Sequence, residues 1–176
     1  MIAEQDILNA RILIVDDQEV NVNLLEHILA DAGHTCVSVS MNPKEVCALH
    51  RKNDYDLILL DLQMPEMDGF EVMAALKAND GDAYLPVIVV TAQPDQKLQA
   101  LQAGAKDFVS KPFNLAEVKT RIHNMLEVRL LYKALENYNR ELEGLVEQRT
   151  AELHQSEARF SQIARTEVLQ ASGTEG

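Results

Sequence analysis

Cysteine is scarce in this 176-residue chain, with only Cys36 and Cys47 present. Their spacing fits no metal motif, and one pair in a chain this long is not a disulfide framework, so buried reduced thiols are expected. Basic residues are also in deficit. Lys and Arg number 16 against 28 Asp and Glu, and the imbalance gives a net charge of −9 through Met125 and −3 after it. No basic face is therefore available for DNA or RNA phosphates, and nucleic-acid binding is excluded as the expected role. No window holds the ~20 consecutive apolar residues of a membrane span. Met1 to Ala10 contain Glu4 and Asp6 and lack both a basic and an apolar leader region, so a cytoplasmic protein with no secretory signal is expected. His27, His34, His50, His123 and His154 show no paired ligand spacing with the acids and read as ordinary polar or interfacial residues.

What the chain does have is an apolar fraction of 47%, enough for a real core. Runs suited to fully buried strands occur at Arg11–Val15, Thr35–Ser40, Asp56–Leu60, Pro86–Val90 and Asp107–Val109. Between them lie helical patterns. Val20, Leu24, Leu25, Ile28 and Leu29 form one stripe, closed by Gly33. Val46, Leu49 and His50 form a shorter one, opened by Asn42 as a cap with Pro43 behind it. Asp68-Gly69 leads into a third helix, a fourth runs from near Pro94 to Gly104, and Asn114 with Glu117 caps a fifth. Strict alternation of this kind predicts βαβ units and a parallel sheet covered on both faces.

From Leu115 onward there is no proline, and Gly144 is the sole glycine before Gly173, so the fifth helix has no clear stop. Val128, Leu131, Leu135, Tyr138, Leu142 and Leu145 step as a heptad seam. Leu145, Arg149 and Leu153 then break the step before Ser156, Phe160 and Ile163 resume it, which is a stutter that locally unwinds a supercoil. The seam predicts a parallel homodimer through the C-terminal helix. The expected organisation is an N-terminal extension over 1–10, a globular domain over 11–127, a coiled-coil helix over 128–165 and a frayed end over 166–176.

Ligands of open α/β sheets bind at the C-terminal ends of the strands. At those ends lie Asp16-Asp17, Asp61, Thr91-Ala92 and Lys111-Pro112. Three carboxylates in one cleft repel one another, and a hard divalent ion with oxygen ligands, Mg²⁺ by preference, relieves that repulsion. Asp61 is then placed to attack an in-line phosphorus and form an acyl phosphate, with the Lys111 ammonium and the Thr91 hydroxyl on the phosphoryl oxygens.

The segments Ile12 to Asp17, Leu57 to Gly69, Val89 to Ala92 and Gly104 to Phe113 together resemble the receiver domain of two-component response regulators, over about Arg11 to Glu127. The resemblance implies a flavodoxin-like, doubly wound five-stranded parallel sheet of order 2-1-3-4-5. It implies a response regulator that takes phosphate on Asp61 from a sensor histidine kinase or a histidine phosphotransfer protein. Asp17 and Asp61 through their side chains and Gln63 through its backbone carbonyl would hold Mg²⁺, with Asp16 acting mainly through a bound water, and Mn²⁺ can substitute. Thr91, Ala92 and Lys111 would hold the phosphoryl group, Thr91 and Phe108 would form the switch, and the Lys111-Pro112 peptide would be cis. For Phe108 plain core packing is the other reading. Gln63 and Gln93 sit where side chains influence the attacking water. Asp107 and Arg121 fall where some receivers pair across a dimer, alongside Leu131, Leu135, Leu142 and Leu145 of the tail.

The tail from Leu145 to Leu153 is similar to signalling helices that join receivers to output domains, and Ser156 to Phe160 resembles the lead-in to a PAS sensor domain. Two readings therefore compete: a switch module acting through protein contacts, with no enzyme activity beyond its own phosphorylation and dephosphorylation, and the regulatory front of a larger enzyme such as a cyclase, phosphodiesterase, phosphatase or hybrid kinase. The end of the sequence directly after a transmitter-like helix favours the second. A metal-dependent phosphohydrolase would place an acid two residues past Asp61, where this chain has Gln63.

Overall fold

The computed structural model describes residues 1–80 and 84–173. The chain divides into two compact units, Met1–Tyr132 and Lys133–Gly176. The first is built on five parallel strands: β1 (Arg11–Val15), β2 (Cys36–Ser40), β3 (Leu57–Asp61), β4 (Val87–Thr91) and β5 (Asp107–Ser110). Their order is β2-β1-β3-β4-β5, the flavodoxin-like topology expected. The ladder runs one residue further than the apolar runs do: Asp61 pairs with Val90, and Thr91 with Ser110. Polar residues at these strand ends are thus held by sheet geometry rather than by loops.

Around the sheet lie α1 (Glu4–Leu8), α2 (Glu19–Asp31), α3 (Val46–Asn53), α4 (Gly69–Asp80), α5 (Gln96–Gln102) and α6 (Leu115–Ser172). Alternation along each strand sorts the core into two layers. Ile12, Ile14, Leu57, Leu59 and Ile88 face α1, α2 and α6, whereas Leu13, Val15, Ile58, Leu60 and Val89 face α3, α4 and α5. Among the described residues no helix is long and apolar enough to cross a membrane.

Several local expectations are corrected. The predicted extension over 1–10 contains α1, whose Ile7 enters the core and whose Leu8 carbonyl accepts the Thr35 amide at 3.1 Å. A helix of five residues is too short to display a period. In α2 the buried stripe is Val22, Leu25, Ile28 and Leu29, while Val20 and Leu24 face outward at 78% and 41% exposure. Val22 lies three residues before Leu25 and aligns with it, whereas Val20 is rotated off that face. The Asn42-Pro43 start is a 3₁₀ turn over Pro43–Glu45, with the Asn42 side chain accepting the Lys44 amide at 3.1 Å, and α3 follows it. Both cysteines are free, but Cys36 is exposed at the start of the edge strand and Cys47 is only half-buried.

The final helix does not fray at 166. It continues to Ser172, because the residues between 166 and 172 include neither proline nor glycine. Residues 174–176 of the predicted frayed end lie outside the described residues.

Candidate functional site

Three carboxylates meet at the C-terminal edge of the sheet. Asp16 follows β1 and Asp61 ends β3, and with Asp17 they offer oxygens that all lie within 4.8 Å of one another. Asp16 and Asp61 are almost fully buried. Among the described residues a single ammonium reaches them: Lys111 Nζ is 3.1 Å from Asp16 Oδ2 and 3.3 Å from Asp61 Oδ1. The balance is three negative charges against one positive. Burial, and then the charge of Asp16, push the Asp61 carboxyl above its ordinary range, while Lys111 and the Gln63 amide pull it back. Asp17 Oδ1 is buried and has no hydrogen-bond partner among the described residues. A buried carboxylate oxygen in an acidic pocket of three aspartates fits the needs of a divalent cation, and an all-oxygen donor set suits Mg²⁺.

The other predicted residues lie at or just past the strand ends, on β5 or along α6. Thr91, at the end of β4, is buried. Its hydroxyl accepts the Gln93 amide at 3.0 Å and donates to Gln96 Oε1 at 3.0 Å. The Lys111 amide bonds the Thr91 carbonyl at 2.9 Å, and the Lys111-Pro112 peptide is cis. Ala92, Gln63 and Gln93 are exposed in the loops beyond the strand ends. Phe108 is half-buried and belongs to neither core layer. Lys97 Nζ lies 4.6 Å from its ring centroid and the Arg121 guanidinium 5.4 Å. Asp107 and Arg121 are joined at 2.7 Å within one chain. Leu131, Leu135, Leu142 and Leu145 are exposed along α6.

Some supporting residues were not legible as such in the sequence. The Gln18 amide donates to Asp16 Oδ1 at 2.8 Å, and Asn21 reaches the same oxygen at 3.4 Å, fixing the acid's rotamer. Gly69 is more than a helix lead-in. A Cβ there would sit 2.6 Å from the Asp61 carbonyl oxygen and 2.9 Å from Leu62 Cα, so only glycine lets α4 start this close to the end of β3. The start itself is a reciprocal cap, with the Asp68 amide donating to Glu71 and the Glu71 amide to Asp68 at 2.8 and 2.9 Å. The sequence signal existed in Asp68 and Glu71, three residues apart. Gln96 left no signal, because an amide on a helix surface fits any role.

Fold and pocket together define a doubly wound α/β domain with an acidic, cation-seeking centre at its carboxyl edge. Residues 12–123 match the response regulator receiver domain, and the chain belongs to that family. It is 37% identical over 130 residues to the response regulator PleD of Caulobacter vibrioides, covering 73% of this chain and 28% of that protein. It is 32% identical over 151 residues to a probable cyclic di-GMP phosphodiesterase of Vibrio cholerae, covering 85% of this chain and 34% of that one. The chain thus spans about a third or less of these curated relatives. Among solved structures, the receiver domain of the Pseudomonas aeruginosa sensor histidine kinase PA1611, with magnesium coordinated in its active-site cleft, superposes with a TM-score of 0.62 at 27% identity. That match covers 68% of this chain and 98% of the other. Receiver domains take phosphoryl groups from histidine kinases or phosphotransfer proteins and bind Mg²⁺ at an acidic site.

Proposed function

We propose that Asp61 accepts a phosphoryl group from a phosphohistidine donor in a Mg²⁺-dependent reaction, and that α6 carries the resulting state onward. The observation behind this is the uneven charge of the pocket, which among the described residues holds three carboxylates, one of their oxygens without a partner, and a single ammonium. Mg²⁺, when held by Asp16, Asp17, Asp61 and the Gln63 carbonyl, would supply the positive charge that lets a phosphoryl group approach; Mn²⁺ could replace it. An Asp61 oxygen forms the new bond to phosphorus as the bond to the donor imidazole breaks, and the imidazole leaves to be reprotonated from solvent. Lys111 neutralises one phosphoryl oxygen, the Ala92 amide donates to another, and Thr91 turns its hydroxyl toward the third. As Thr91 moves, Phe108 leaves its half-exposed position for the space vacated.

Gln63 and Gln93 stand where they can hinder or orient the hydrolytic water, and substituting either changes the decay rate of the phosphorylated form without preventing its formation. The exposed seam of α6 pairs two copies in parallel, and sedimentation at micromolar concentration should give a dimer; a monomer would remove this part of the reading. The partial coverage of the relatives supports a role as the regulatory front of a larger signalling protein, and the sequence downstream in the source gene decides it. Cytoplasmic action, with a kinase or phosphotransfer protein as donor, follows from the same reading.

The decisive test is incubation with Mg²⁺ and a small acyl phosphate, read by intact mass. One added phosphoryl group in the parent and none in Asp61→Asn is the expected result. A gain that persists in the variant would place the acceptor elsewhere.

A further inference from the structure

The hydroxyl that should greet the phosphoryl group is already engaged. Thr91 Oγ1 accepts from the Gln93 amide and donates its one proton to Gln96 Oε1 at 3.0 Å. A phosphoryl oxygen on Asp61 needs that same proton. The Gln93 amide can only donate, so it does not compete; Gln96 Oε1 does. With the Thr91 backbone fixed by its ladder pairing to Ser110 and by the Lys111 amide, the change open to this residue is rotation of its side chain from one acceptor to the other. Gln96 is also the first residue of α5, and Lys97 beside it lies over the Phe108 ring at 4.6 Å. Two consecutive residues of one helical turn therefore touch both members of the switch.

We propose that Gln96 is a positioning residue that competes with the phosphoryl group for the Thr91 proton, biasing the pocket toward its unphosphorylated arrangement and tying the first turn of α5 to the arrival of phosphate. This rests on Asp61 being the acceptor and Thr91 the hydroxyl that reports on it. Removing the competing acceptor should make the phosphoryl-bound arrangement easier to reach. A neutral hydrogen bond of ordinary strength corresponds to a gain of roughly 5-fold in affinity for a phosphoryl mimic.

The test titrates the full chain with beryllofluoride in Mg²⁺, a mimic that bonds to an aspartate oxygen, and follows bound fluoride by ¹⁹F NMR. Gln96→Leu is expected to bind about 5-fold more tightly than the parent. In a Thr91→Val background, where no hydroxyl remains to be contested, the same substitution should change nothing. Gln96→Ala, compared in the same two backgrounds, covers the case in which leucine disturbs the helix start. Equal gains in both backgrounds, or no gain beside an intact Thr91, would overturn the proposal, since a merely structural glutamine acts without regard to the hydroxyl. A parent that fails to bind the mimic, or an Asp61→Asn variant that binds it equally well, would instead remove the acceptor assignment, and this inference with it.

Discussion

One aspartate closes β3 and another stands just before it, and the two live in opposite electrostatic worlds. Asp61, at its C-terminal end, shares one lysine with Asp16 beside the orphaned oxygen of Asp17. Asp56, just before its N-terminal end, accepts the Arg11 amide at 2.9 Å and faces one buried arginine, Arg129 of α6, at 3.9 Å. Arg129 also donates to the Tyr84 carbonyl, and Tyr84 stacks on Tyr132 of α6 at 4.3 Å between centroids. Among the described residues the first cluster is short of positive charge, whereas the second matches a buried aspartate with a buried arginine. A surplus of like charge marks a place that waits for a ligand; a matched buried pair marks a place that holds elements together. Here it holds the root of the long helix to the sheet.

The contrast can be broken most severely at the matched end. Arg129→Ala should cost about 3 kcal/mol in denaturant unfolding, because it strips a buried carboxylate of a counter-charge. Asp56→Asn with Arg129→Met, which removes both charges together, should recover most of that loss; a double variant no better than the single would show that the charges are not what matters. At the other end a ligand should stabilise. Mg²⁺ at a hundredfold excess over its Kd should add about 2.7 kcal/mol to unfolding stability. Asp17→Asn should erase most of that gain, and a thermal shift that survives the substitution would move the ion elsewhere. Gly69→Ala should cost about 2 kcal/mol by forcing α4 away from Asp61, and on the proposed reading should slow phosphate uptake as Asp61 shifts.

The smallest effect is the dependence on pH in metal-free buffer. The Asp61 carboxyl titrates above its ordinary value of 3.8 in the folded protein. The folded state then binds the proton more tightly than the unfolded chain does, so stability from this group is full below that ordinary value and is lost as pH rises through the folded one. Asp61→Asn removes the loss. Above the folded value it should melt higher than the parent without Mg²⁺, and the difference should shrink as pH falls.

Sequence reading reached the unmatched end of β3 more easily than the matched one. Asp16, Asp61, Thr91 and Lys111 each sit at the end of a short apolar run, and parallel pairing alone carries such positions to one edge. Their meaning followed from topology. Arg129 gave no such lead. It occupies the next position in the buried stripe of Val118, Ile122 and Leu126, where an apolar residue is expected, and its explanation is an aspartate far back in the chain. Val20 misled for a related reason: an apolar residue one turn from a core stripe looks like a member of it until the helix has a neighbour. The hydrogen bond from Thr91 to Gln96 was invisible because amide side chains carry no periodic signal.

The helix that leaves this root has consequences for anyone who wishes to graft it. Tyr132 is the last of the anchors described above, and α6 runs unbroken to Ser172. A chimera joined upstream of Tyr132 would discard the aromatic stack and, earlier still, the buried arginine, so the useful junction lies downstream. There the helix behaves as a dial. Each inserted residue turns everything beyond it by about 100°, whereas seven together return the seam nearly to its original bearing. Inserting one to seven residues after Tyr132 would therefore separate the orientation of whatever follows from its distance, a control that a flexible tether could never provide.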